Sequence, residues 1–191
     1  GYKIDKVYEP DKNTVTLGLY GKSSNLMLLI CISSNNCRIN LTSHPQKNPS
    51  TAPNFCMLLR KYLIGLKIKN IYTIDLERIV FIDLENNENP NKPICRKLII
   101  ELMGKHSNII LTDSNNIIID SMRHTSTLEN SNRDIYPTAR YIFPESKKYS
   151  FLELNTFDDF YNAIEPKLIE YIAENSLNIE NLNVSNFMID K

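Results

Sequence analysis

The chain is built from short aliphatic runs of at most about seven residues, each cut off by a cluster of Asn, Ser, Asp or Gly. Runs of that length suit strands of a sheet. They fall well short of the roughly 18 to 20 apolar residues that cross a bilayer as one helix. "TVTLGLY" (14–20) alternates in period two, "NLMLLICIS" (25–33) is continuously apolar, and "CRINLTS" (37–43) alternates again. Turn formers follow the first two, at Gly21-Lys22-Ser23-Ser24 and Ser34-Asn35-Asn36, which is the rhythm of an antiparallel meander. Further strands are expected in "KIKNIYTI", "RIVFIDL" and "RKLIIEL", then in "NIIL" and "NIIIDSM", which are joined by a tight turn at Thr112 to Asn115.

Two stretches change to helical spacing. After "NPSTAPNF", residues Phe55, Leu58, Leu59, Tyr62 and Leu63 share one face. Ser50 or Thr51 is the expected N-cap, Pro53 suits the first turn, and Gly65 closes the helix. Arg60 and Lys61 lie off the apolar face, as a solvated, cation-favoured helix end. "NTFDDFYNAIEPKLIEYIAENSL" places Phe157, Phe160, Tyr161, Ile164, Leu168, Ile169 and Ile172 on a second face, with Thr156 as N-cap and a break at Pro166. Between Thr125 and Pro144 regular patterning is lost, and Arg123, Arg133 and Arg140 fall in or near that segment.

A chain of 191 residues can bury one substantial core, and its 42% hydrophobic and 23% charged content is that of a folded domain. Twenty-two basic residues balance twenty-two acidic ones, so no global positive field would hold nucleic acid. Any RNA contact must come from local clusters, and binding by the isolated domain should be weak and salt-sensitive. Cys31, Cys37, Cys56 and Cys95 form no CxxC pair and have no His at metal-ligand spacing; they read as reduced, buried thiols, which favours the cytosol. The chain opens on Gly1-Tyr2 without a methionine and stops at Lys191 within an apolar pattern, so it reads as a fragment of something longer.

No residues declare an enzyme. The five glycines make no GxGxxG or phosphate loop, and no HExxH or GxSxG is present. Asp75 with Glu77, and Asp83 with Glu85, would each share a strand face, yet nothing else marks either pair as an acid/base couple. His44, His106 and His124 are far apart in sequence and read as surface or turn residues. The segment Gly104-Lys105-His106-Ser107-Asn108 stands out more. A glycine corner lets backbone N–H groups approach a ligand, and Lys105 and His106 beside it would suit a phosphate. A hairpin whose polar residues merely face water explains the same letters.

The strings "KIDKVYEPDKNTVTLGL", "APNFCMLLRKYLIG", "LERIVFIDL", "KLIIELMGKHSNIILTDSNNIIIDSMRH" and "YPTARYIFP" resemble, in order and wording, the NFACT N-terminal domain family. That group includes bacterial fibronectin-binding-protein-like proteins, RqcH, Tae, Caliban and NEMF. The likeness covers Gly1 to Pro144 nearly continuously. It implies an α+β fold: a β-rich sandwich over residues 1–149, similar to the N-terminal domain of formamidopyrimidine-DNA glycosylases, with one packed helix, then a helical segment from 150 to 191. It also implies a cytoplasmic, non-enzymatic factor without a cofactor or membrane segment. Such a factor binds tRNA and the large ribosomal subunit carrying peptidyl-tRNA, and supports C-terminal tailing of stalled chains. Fibronectin at the cell surface is the alternative partner. By the same likeness, Glu77 and Arg78 stand where the family has an Asp-Arg pair tied to tRNA recruitment. Glu101, Met103, Gly104, Lys105 and Asn108 complete the expected tRNA-binding set. Arginine's rigid donor fork, oriented by the neighbouring acid, suits a bidentate phosphate or base contact.

Overall fold

A computed structural model describes residues 1–21, 24–44, 46–74, 77–86, 93–126 and 133–144. The helical segment expected after residue 149 therefore lies outside the described residues, as does Asp75. The described elements run β1 (Lys3–Asp11), β2 (Thr14–Tyr20), β3 (Asn25–Cys31), β4 (Arg38–Leu41), α1 (Asn54–Leu63), β5 (Lys67–Thr73), β6 (Ile79–Asn86), β7 (Ile94–Glu101), a 3-10 turn at Gly104–His106, β8 (Asn108–Asp113) and β9 (Ile118–Ser121). All strands lie in one antiparallel sheet of order β4-β3-β2-β1-β5-β6-β7-β8-β9. Among the described residues this is the β-rich sheet with one packed helix expected from the apolar patterning.

The aliphatic runs are continuous where a strand is covered on both faces. Ile82 and Leu84 of β6, Leu98 and Ile100 of β7, and Ile109 and Leu111 of β8 point into the main core. There they meet Ile4 and Val7 of β1, Leu17 of β2, Ile30 of β3, and Leu59 and Leu63 of α1. The two halves of the sheet thus close around the helix. On the opposite face, Ile79, Phe81, Ile99, Ile110 and Ile118 form a second core, roofed by Ile135 and Tyr141 of the irregular segment.

β1 has no counterpart in the sequence reading, and the register explains why. Ile4 pairs with Leu19 and Lys6 with Gly18, so Asp5 is a bulged residue. The bulge puts Ile4 and Val7 on one face although they are three apart, which hides the period-two signal. Pro10 falls beyond the Lys3–Lys67 contact with β5, where the missing N–H costs no ladder bond.

Helix α1 buries Phe55, Cys56, Leu59 and Leu63 as the spacing requires. Its N-cap is Pro53, extended and without a side-chain bond, so Ser50 and Thr51 lie upstream of the helix start and do not cap it. Gly65 follows the helix at φ +94°, a value glycine adopts freely, and its N–H bonds Ile4 O at 2.9 Å. Arg60 is not simply solvated: its Nε donates to Val7 O at 2.9 Å, tying the helix end to β1. The β8–β9 turn sits one residue later than expected. Asp113 Oδ1 accepts the Asn115 and Ile117 N–H groups, with Asn116 at φ +60°. All four thiols are free, but only Cys31 and Cys56 are buried; Cys37 and Cys95 are partly exposed.

Candidate nucleic-acid interface

Strand pairing brings the two halves of the expected site together. Ile79 at the start of β6 lies opposite Glu101 at the end of β7, and Leu102 N–H donates to Arg78 O at 2.8 Å. Arg78 is therefore beside Leu102, two residues before Gly104. Its guanidinium is exposed and has no partner among the described residues, while Glu77 next to it is half-buried. The chain then leaves β7 through Met103 and turns at Gly104, whose φ of +58° is the left-handed value expected of a glycine corner.

The connection is one 3-10 turn, Gly104–His106. His106 N–H bonds Met103 O and Ser107 N–H bonds Gly104 O, each at 3.1 Å. Those two donors are thus used within the turn. What the turn presents outward is the exposed pair Lys105 and His106, with Met103 half-buried.

Glu101 and Asn108 sit on the second-core face of their strands and point inward. Glu101 is fully buried; it accepts Arg133 Nη2 on both carboxylate oxygens, at 2.7 and 2.9 Å, and Tyr141 OH at 2.8 Å. Arg133 also donates to Ile142 O at 3.1 Å, so one buried carboxylate secures the irregular segment over the second core. Burial, with the Glu101 charge next, drives the Tyr141 hydroxyl pKa well above its ordinary range, so Tyr141 is a hydrogen-bond donor at any working pH. Asn108 Oδ1 accepts the N–H groups of Ile109 (2.9 Å) and Arg123 (3.0 Å), and its Nδ2 donates to Arg123 O at 2.7 Å. Glu101 thus holds the irregular segment and Asn108 the Arg123 backbone, both from the buried face. Arg133, Tyr141 and Arg123 share that work. Their only trace in the sequence is that the arginines crowd a stretch without pattern.

Other chemistry is quiet. No group of His, Cys, Asp and Glu among the described residues could hold a metal ion. Glu85 pairs with Lys69 Nζ at 3.0 Å, which suits the reading of Asp83 and Glu85 as ordinary surface carboxylates. His124 bonds Asp120 at 2.7 Å and His44 bonds Ser43 at 2.9 Å. No helix among the described residues is long and apolar enough to cross a membrane.

Comparison with known proteins fits this arrangement. The family described as NFACT N-terminal and middle domains matches residues 1–182. The protein named Rqc2 homolog RqcH of Bacillus subtilis is 38% identical over 160 residues, 83% of this chain and 28% of that protein. Its namesake in Streptococcus suis is 34% identical over 183 residues, 95% of this chain and 32% of that protein. The chain thus spans about a third of the length of these relatives. Among solved structures, the N-terminal part of the fibronectin/fibrinogen-binding protein of Streptococcus suis superposes with a TM-score of 0.74 at 33% identity, covering 85% of this chain and 61% of that one. The N-terminal domain of the fibronectin-binding protein PavA of Streptococcus pneumoniae gives 0.71 at 33% identity, over 91% and 62%. Carrying the sheet, the packed helix α1 and the Gly104 corner between β7 and β8, and matched over residues 1–182, this chain belongs to the NFACT N-terminal domain family.

Proposed function

We propose that this chain is the tRNA-facing N-terminal part of a cytoplasmic ribosome quality-control factor. The whole protein would bind the large ribosomal subunit carrying peptidyl-tRNA and recruit tRNA for C-terminal tailing of the stalled chain. Peptidyl transfer would remain with the ribosome, and this protein would bind and position without catalysing. The fold reading that accompanies it is a sandwich akin to formamidopyrimidine-DNA glycosylase N-terminal domains, continued by helices after residue 149. The name RqcH borne by the relatives supports the role. The observation that carries the site is the exposed Arg78 guanidinium, without a partner among the described residues, beside the Gly104 turn with its exposed Lys105. Arg78, Lys105 and Met103 would touch tRNA, Glu77 would orient Arg78, and Gly104 would shape the corner. Glu101 and Asn108 would act through the backbone they hold.

The test uses the full-length protein. It should co-sediment with large subunits bearing peptidyl-tRNA, and Arg78→Ala should abolish tail addition while weakening tRNA binding at least about tenfold, as loss of a charge-assisted contact implies. Thermal stability should barely move, since the side chain is exposed. Tail addition by the variant at the normal rate would reject the site. The fibronectin-binding names of the solved relatives support a second reading, a surface partner. Labelling of intact cells separates the two, because only the second needs the protein outside.

A further inference from the structure

Arg123 belongs to neither set of expected contacts, yet it is the most connected side chain near the turn. Its Nη1 donates to Lys105 O at 3.3 Å and Ser107 O at 3.1 Å. Its Nη2 donates to Asn13 Oδ1 at 2.7 Å and Ile32 O at 3.1 Å. Asn13 lies in the β1–β2 turn, Ile32 leads out of β3, and Lys105 and Ser107 belong to the 3-10 turn. One planar guanidinium therefore spans three loops drawn from both halves of the sheet. Supporting bonds fix the cluster: Ile32 N–H reaches Asn13 O at 2.7 Å, and the Arg123 backbone is held by Asn108. Ser34 O lies 3.9 Å from where a side chain on Gly104 would start, so the β3–β4 loop abuts the same corner.

Lys12, adjacent to Asn13, is exposed, as are Asn35 and Asn36 of the β3–β4 loop. Resting on the tRNA reading above, we propose that the RNA-contact surface is this composite rim and not the Gly104 turn alone. Lys12 supplies a second phosphate contact beside Lys105, and Arg123 is the positioning residue that sets their spacing. The ligand chemistry is the sugar-phosphate backbone of structured RNA, met by two ammonium groups and a row of amides. Lysine at position 123 would keep the charge but lose the fork that reaches four acceptors at once.

The experiment is a fluorescence anisotropy titration of labelled tRNA with the full-length protein across a salt series. Lys12→Gln and Lys105→Gln should each weaken binding several-fold and lower the slope of log affinity against log salt by about one, and the double variant by about two. Arg123→Lys should approach the double variant in both affinity and slope; a merely structural role would lower Tm and leave the slope of the folded fraction unchanged. Lys12 is on an exposed turn, so Lys12→Gln tests the rim even if the Arg123 variant folds badly. Wild-type affinity and slope in Lys12→Gln, with Lys105→Gln impaired, overturns the shared rim and leaves the tRNA reading standing. Wild-type affinity and slope in a folded Arg123→Lys overturns the positioning role. Absence of tRNA binding by the unaltered protein rejects the underlying reading and the rim with it.

Discussion

At the scale of single residues, the polar groups that matter most are buried. Glu101 is 1% exposed and Arg133 18% exposed at the side chain, and Tyr141 donates to the same carboxylate. Removing the carboxylate takes from Arg133 its buried anionic acceptor and from Tyr141 its hydrogen-bond acceptor. Glu101→Ala should therefore lower unfolding free energy by about 3 to 5 kcal/mol, while Tyr141→Phe, which deletes one donor, should cost about 1 to 3 kcal/mol. Urea denaturation of the two variants checks the order. Glu9 offers a contrasting carboxylate. It is buried with Oε2 unpaired, and burial raises its pKa; the Cys56 amide opposes the shift and Asp11 adds to it. A raised folded-state pKa means that the native state holds the proton more tightly than the unfolded chain. This group's stabilising contribution is then full below its ordinary value of 4.5 and fades as pH climbs through the raised value. Glu9→Gln, already neutral, should flatten the stability profile on the acidic side of neutrality and match or exceed the parent at pH 7 in urea midpoints.

At the scale of elements, the 3-10 turn is where conformation limits substitution. A Cβ at Gly104 would meet only Ser34 O, at an ordinary 3.9 Å, so the cost of Gly104→Ala is backbone strain at φ +58° and not a clash. The expected loss is about 1 kcal/mol, readable as a modest fall in Tm without loss of fold. This corner also shows what the letters could and could not say. Glycine's left-handed corner and the strands around it were legible because β6, β7 and β8 are long, apolar and bounded by turn formers. β1 was not, because its bulge breaks the alternation, and the start of α1 was not, because the helix begins after Pro53 without a side-chain cap, downstream of the hydroxyls of Ser50 and Thr51. Glu101 and Asn108 looked like polar interruptions facing a ligand. The sequence places them on a strand face, but only tertiary contact reveals that a patternless stretch covers that face with Arg133 and Tyr141, 32 and 40 residues beyond Glu101.

At the scale of the molecule, the second core explains how the proposed rim would be mounted. The paired stretches 79–82 of β6, 98–101 of β7 and 108–111 of β8 are screened from water on both sides, by the helix-filled core on one face and by Ile135 and Tyr141 on the other. Their amides should consequently be the slowest to exchange with deuterium; Ile99, Ile100, Ile109 and Ile110, all without solvent exposure, should open only with global unfolding. Mass spectrometry of exchanged peptides would show it, and fast exchange there under native conditions would contradict the double burial. Since Arg78 and the Gly104 turn are spliced directly onto these strands, a partner bound as proposed would meet a stiff, preset template and spend little affinity on immobilising it.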